Sequence, residues 1–422
     1  MSTFTGWQYL LIDCANAYGL DKKLFEERIQ WATENLEILE SLAPKAETKP
    51  LFMKAVMAIR KAQAGLPTGH LVEFDATCSG LQIMSCLTGC MEGARATGLV
   101  DPDVRADAYS QVQKIMNEVL ASQAISVNVP REFAKKATMT AYYGSRRTPK
   151  IIFGEDTPEL NAFYEAMATV SPGAWDLLQV LLGSWQPNVL THEWRLPDGF
   201  DVKVKVMDTI VNDRLEVDEL DHATFSYTYK VNKALPKDHQ KAKSLPANVT
   251  HSVDAYVLRC IHRRCNYDRE VAAKAFDQLM GEWMNRQQGG EPVAFEPGDD
   301  SIWAYYVERW EATRMADVVI LPHIQDLGVE YLPTELIQKL LGIVEHMLSY
   351  KPFPVVTIHD AFKCHANHMG HLRQQYINVL AELAESTVLD DILTSIHGQK
   401  CQYGKLNPNL GTLIRGSNYA LA

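Results

Sequence analysis

The 422 residues are 46% hydrophobic and 22% charged, the balance of an ordinary soluble globular chain, and the length allows two or three structural units. A formal net charge of −11 excludes nucleic-acid binding through bulk positive charge, while leaving room for a basic channel in an acidic body. Eight cysteines without framework spacing, and no apolar stretch of roughly 18 residues, exclude a disulfide scaffold and a membrane-spanning helix, so a soluble intracellular chain with reduced thiols and no membrane partner is expected.

Through about Ala62 the chain reads as helical, with Phe25, Ile29, Leu36 and Leu39 forming an apolar stripe. A glycine-bounded turn, 65–69, then introduces the strand Leu71-Val72-Glu73-Phe74, which delivers Asp75. Pro102-Asp103 signals a helix running to about Gln123, and Pro130 opens another that stops at Gly144. Alternation between about Trp194 and Pro236, with a Leu196-Pro197-Asp198-Gly199 turn, predicts β-hairpins. From about Cys265 to Tyr350 the pattern is mostly helical, broken at 288–290 and 296–298. A strand, Pro354 to Ile358, then ends in His359-Asp360.

Taken singly, an acid at a strand end is a turn former or a helix cap. Asp75 and Asp360 are two such acids, and on neighbouring strands they can hold two divalent cations about 3.5–4 Å apart. All-oxygen ligands suit magnesium. Between them in sequence, Arg131, Lys135 and Met139 step by four along one helical face, with Tyr143 further round it. An isolated helix of this kind is an amphipathic surface helix. Lying between two metal-binding acids, it can instead grip a triphosphate through Arg131 and Lys135, pack Met139 on a base or sugar, and project the Tyr143 hydroxyl.

These three segments resemble, in order, motifs A, B and C of the phage-type single-subunit RNA polymerases, relatives of the mitochondrial enzymes and, more distantly, of family A DNA polymerases. Asp107-Ala108-Tyr109, His251-Ser252-Val253-Asp254-Ala255 and the C-terminal 409–422 stretch, similar to the family's "foot", extend the resemblance over most of the chain. It implies an α+β, mostly helical, right-hand polymerase fold whose palm contains an antiparallel sheet. Residues 1–103 form the first part of the palm, 104–257 the fingers with a specificity-loop-like β-rich region, and 258–422 the second part, with a helical insertion at about 266–345.

The resemblance further implies that Asp75 and Asp360 hold two Mg2+ ions, that His359 lies beside the primer end, and that Arg131 and Lys135 are triphosphate ligands. Tyr143 senses the sugar's 2′-hydroxyl, Tyr109 and Met139 help to position the nucleotide, and Lys22 lies near the triphosphate or pyrophosphate. Gly80 leaves room for a ribose. Two departures stand out: Val257 where the family commonly has histidine, and Ala361 after the motif C aspartate.

The family's upstream Asp/Thr-x-x-Gly-Arg motif and N-terminal domain have no counterpart in these residues, so that part of the palm and thumb is expected from elsewhere. The chain resembles the larger catalytic subunit of the heterodimeric, split phage RNA polymerase II class. The implied partners are a DNA template, the RNA product, ribonucleoside triphosphates, a second subunit carrying the Gly-Arg motif, and a single-strand-DNA-binding or promoter-opening factor. The compartment is the cytoplasm of an infected bacterial host. The competing readings are a family A-like DNA polymerase or primase, and a non-catalytic nucleic-acid-binding subunit that keeps the fold. Zinc at Cys364, His365, His368 and His371 is set aside, and Arg259, Arg263 and Arg264 are read as phosphate contacts.

Overall fold

The computed structural model describes residues 1–207, 209–235, 242–324 and 328–422. The chain is α+β and mostly helical, with seven short strands among the described residues: β1 (Leu71–Asp75), β2 (Thr191–Arg195), β3 (Asp201–Lys205), β4 (Thr209–Val217), β5 (Ala223–Val231), β6 (Val356–Ile358) and β7 (Ala361–His365). β1, β7 and β6 form a three-stranded sheet in that order, antiparallel throughout; β2–β3 and β4–β5 are separate hairpins. Residue 208 and residues 236–241 of the predicted β-rich stretch lie outside the described residues.

Pairing of Phe74 with Phe362 and of Asp75 with Ala361 fixes which side chains share a face. Val72, Phe74, Phe362 and Cys364 point to one side and are buried. There Tyr9, from helix Gly6–Ala15, meets Phe74 edge-on at 5.8 Å, and Tyr376, from helix Met369–Glu385, meets Phe362 at 5.5 Å. The other face carries Glu73, Asp75 and Lys363 together with exposed Val356 and Ile358. β7, the central strand, is an addition to the elements the sequence pattern predicts. Asp360 therefore neighbours β1 through the β6–β7 turn rather than through adjacency of β6 itself.

Residues from the two chain ends pack together under this sheet. Arg373, fully buried, sets its guanidinium 4.5 Å from the Phe25 ring centroid and donates to the Tyr9 hydroxyl and the Asn418 carbonyl. Ala76 bridges to Leu421, the Thr77 N–H donates to the Ala420 carbonyl, and the Ala422 N–H donates to the Asp75 carbonyl. The C-terminal segment thus lies along the end of β1, fixing the loop beyond Asp75. Behind that loop the helix Ser79–Thr88 is buried along its whole length.

Helices Arg269–Gln287, Ile302–Thr313 and Thr334–Leu348 gather around a second apolar cluster that includes Trp310, Leu336 and Leu340. Elsewhere, β4–β5 is a two-stranded ribbon with Leu215, Phe225, Tyr227 and Tyr229 exposed along one face.

Candidate active site

β1 ends at Asp75, and two residues, His359 and Asp360, make the tight connection between β6 and β7. A two-residue hairpin loop favours positive φ at its first position, and His359 adopts φ 55° there. The Ala76 N–H donates to the Asp360 carbonyl at 3.1 Å, locking the turn against the end of β1. The two acids therefore sit close together at the end of the sheet, near enough for each to feel the other's charge. The Asp75 carboxyl is raised from its ordinary value, first by desolvation, then by the negative charges of Asp360 and Glu73. Neither acid has a cationic ion-pair partner among the described residues. Adjacent carboxylates, mutually repelling and offering only oxygen donors, fit a hard divalent cation such as Mg2+.

A third acid joins them. Asp254, on helix Leu245–Cys265, is pushed up to about 6 by burial and by Asp360, against an opposing hydrogen bond from Ser79. It belongs to the family-like segment 251–255, but nothing in that segment's pattern points at Asp360.

Asp75 and Asp360 border a cavity of 540 Å³ whose wall also includes Lys22, Lys54, Arg105, Tyr109, Lys135 and Met139. Lys22, Lys135, Met139 and Tyr109 thus come together with Asp75 and Asp360. Lys135 and Met139 project from the helix Arg131–Ala141, a turn apart, as their four-residue spacing requires. Tyr109 stands at the start of helix Ala108–Ser122, 5.9 Å from the Lys135 ammonium.

Arg131 is placed differently. Its Nε and Nη2 donate to Asp107 Oδ2 at 2.9 and 2.6 Å, its Nε also reaches the Ser110 hydroxyl, and it is not among the residues lining the cavity. Asp107 caps its own helix by accepting the Tyr109 and Ser110 N–H groups, so one carboxylate ties the two helices together. The capping residue also corrects the predicted helix start: residues 103–107 are loop, the helix begins at Ala108, and Arg105 is left in the cavity wall. Asp107 satisfies the N-cap preference, and that is the signal available in the sequence.

Tyr143 and His359 do not line the cavity either. Tyr143 lies against His251, ring centroids 4.7 Å apart, and against Gly80, whose missing side chain makes space for its hydroxyl. The room at Gly80 is thus occupied by protein.

The arginines read as phosphate contacts are engaged internally. Arg259 makes a two-pronged pair with Asp198, Arg263 bridges Asp198 and Asp317, and buried Arg264 pairs with Glu382 at 2.8 and 2.5 Å. Burial explains this, since a guanidinium withdrawn from water needs a carboxylate. Cys364 and His365 belong to β7, not to a strand-to-helix connection; His368 stacks on Phe353 and His371 on Tyr350. Among the described residues, three ligating side chains converge within 4.8 Å at Glu216, Asp218 and His222, all exposed near the tip of the β4–β5 ribbon.

Residues 2–150 match the family model for DNA-dependent RNA polymerase. Over 172 residues the chain is 28% identical to a DNA-directed RNA polymerase of Pseudomonas phage phiKMV, covering 33% of this chain and 21% of that one. It is 32% identical over 135 residues to T7 RNA polymerase of Escherichia phage T7, covering 29% and 15%. The DNA-directed RNA polymerase of Enterobacteria phage K11 matches at 25% over 338 residues, 60% of this chain and 37% of that enzyme. The chain thus spans well under half the length of these relatives.

Proposed function

We propose that the chain, which matches the DNA-dependent RNA polymerase family over residues 2–150 and resembles the phage single-subunit enzymes, is the catalytic part of a DNA-directed RNA polymerase. The observation that carries this reading is the closeness of Asp75 to Asp360, whose chain neighbour Ala361 is the strand partner of Asp75, at the edge of a cavity walled by Lys22, Lys135, Met139 and Tyr109. Two Mg2+ ions held by Asp75 and Asp360 would supply activation of the RNA 3′-hydroxyl and charge neutralisation at the leaving phosphate. The chain's own groups do the rest. Lys135 and Lys22 draw the triphosphate of a ribonucleoside triphosphate into the cavity, Met139 and Tyr109 bound the nucleoside, and Tyr143, backed by Gly80, reads the sugar.

In this proposal residues 1–103 and 258–422 act as palm, with a helical insertion at about 266–345, and 104–257 as fingers. His359, strained at the turn, borders the primer end. A second polypeptide carries the Gly-Arg motif that holds the RNA–template hybrid, with a single-strand-DNA-binding or promoter-opening factor alongside. The setting is the cytoplasm of an infected bacterium.

The test is primer extension on a DNA template with ribonucleotides, with and without Mg2+, using the full chain alone and together with a co-expressed candidate subunit. Metal-dependent incorporation that vanishes in Asp75→Asn is expected. Incorporation unaffected by that change would sink the assignment, and a chain equally fast alone would remove the second subunit.

A further inference from the structure

We propose that Arg105 supplies a guanidinium that grips the phosphate chain of the incoming nucleotide, on the cavity wall where Arg131, paired with Asp107, does not lie. The inference rests on the polymerase reading for the identity of the nucleotide, but not for the presence of a polyphosphate site.

Arg105 sits on the loop before Asp107, and its side chain is held on three sides. Nε donates to the Asp21 carbonyl at 3.1 Å, and Nη1 donates to Thr77 Oγ1 at 2.9 Å and to the Ala106 carbonyl at 3.1 Å. Nη2 has no hydrogen-bond partner among the described residues, and Arg105 lines the cavity that contains Asp75 and Asp360. Thr77 is two residues beyond Asp75, so the guanidinium is anchored to the loop carrying the first acid. The Asp21 carbonyl also accepts from Nη2 of fully buried Arg28 at 2.8 Å. Two guanidiniums thereby clamp the turn that carries Lys22.

Charge pairing sorts the cations around the cavity. Arg131 is neutralised by Asp107, Lys22 pairs with Asp21 at 2.7 Å, and Lys363 pairs with Glu73 at 2.5 Å. Arg105, Lys54 and Lys135 have no ion-pair partner among the described residues. Of these three only Arg105 is held in place by hydrogen bonds, which occupy Nε and Nη1 and leave the two Nη2 protons to donate to phosphate oxygens. A guanidinium anchored by hydrogen bonds, with Nη2 free and no carboxylate within ion-pair distance among the described residues, is prepared for an anion beside a metal-binding pair. The anion the cavity accommodates beside Asp75 and Asp360 is the phosphate chain of a nucleotide, or the pyrophosphate that leaves it.

The test is calorimetric titration of the full chain with inorganic tripolyphosphate, and separately with Mg2+–GTP, comparing Arg105→Gln with Arg131→Gln. Loss of one charge-assisted contact predicts about 10-fold weaker binding or more for Arg105→Gln, and less than about 3-fold for Arg131→Gln. The reverse order, or no tripolyphosphate binding by the unaltered chain, would overturn the proposal. Thermal melts accompany each variant. If Arg105→Gln fails to fold, Arg105→Lys decides, since it keeps the charge but loses the anchored Nη2 group: weakening supports the proposal and undiminished affinity overturns it. Tripolyphosphate binding needs no catalysis. A chain that binds it through Arg105 yet incorporates no nucleotide, alone or with the co-expressed second subunit, would fell the polymerase reading alone, and a chain that incorporates nucleotides with unweakened binding in Arg105→Gln would fell this inference alone.

Discussion

The Tyr143 hydroxyl occupies the place where a side chain on Gly80 would sit: a Cβ added to Gly80 falls 1.9 Å from that oxygen and 2.5 Å from the ring carbon bearing it. The glycine serves the tyrosine first, and any effect on sugar choice passes through it. Gly80→Ala should therefore cost about 1–3 kcal/mol, the usual range for overpacking a filled site, read by urea denaturation. Tyr143→Phe removes only the oxygen and leaves the ring carbon in collision, so it should not rescue Gly80→Ala. Tyr143→Ala should, with a coupling of about 1 kcal/mol or more in the double-mutant cycle. Additive effects would place the tyrosine elsewhere.

Removing a carboxylate from the acidic pair should separate activity from stability. Asp75→Asn relieves the repulsion from Asp360 and Glu73 that raises the native carboxyl, so the variant should fold at least as stably as the unaltered chain. Its nucleotide incorporation should fall by at least about 100-fold, the scale seen when one transition-state-stabilising group is lost. Mg2+ gives an independent reading. At about 100 times its dissociation constant a bound ion adds about 2.7 kcal/mol of stability. Chelation should lower the melting temperature of the unaltered chain and leave Asp75→Asn and Asp360→Asn nearly unmoved.

Asp107 joins two helices through one carboxylate, accepting from backbone N–H groups at its own helix start and from Arg131 across the gap. Asp107→Ala should lose about 1–2 kcal/mol from the cap alone. Asp107→Asn keeps an acceptor for the cap and should lose less, while still freeing Arg131 from a carboxylate. If both substitutions leave the denaturation midpoint in place, the carboxylate does not organise this wall of the cavity.

The parts of this arrangement legible in the sequence are those written in local periodicity. β1 announces itself because Leu71 to Phe74 is a β-rich run after a glycine turn, and the shared face of Lys135 and Met139 follows from a spacing of four. β7 is illegible because Ala361-Phe362-Lys363-Cys364-His365 mixes charge and apolar residues without turn signals around it. Its assignment needs the partner strands on both sides. Arg131, Arg259, Arg263 and Arg264 look like free cations because their carboxylates lie 24 to 118 positions away in sequence. Arg105 is hidden by a helix start placed too early, at Pro102, when Asp107 is the residue able to cap.

Asp254 gives the pH dependence. Its carboxyl is raised to about 6, by burial first and by Asp360 second, from an ordinary value near 3.8. Between those values the native state holds a proton that the unfolded chain has released, so stability falls as pH rises through the window and is lowest above about 6. A carboxyl displaced that far costs the native state about 2–3 kcal/mol once ionised, and residual solvent access around a side chain that is not fully buried brings this to about 2. Asp254→Asn removes the titration while keeping the side chain's shape and a hydrogen-bonding group for Ser79. In metal-free buffer the variant should exceed the unaltered chain in unfolding free energy by about 2 kcal/mol at pH 7.5, and the gap should close towards pH 5. Mg2+ held by Asp360 would offset the repulsion and narrow the gap at pH 7.5. A difference that stays constant from pH 5 to 8, with or without the ion, would mean that Asp254 ionises normally and that its neighbourhood with Asp360 has no energetic consequence.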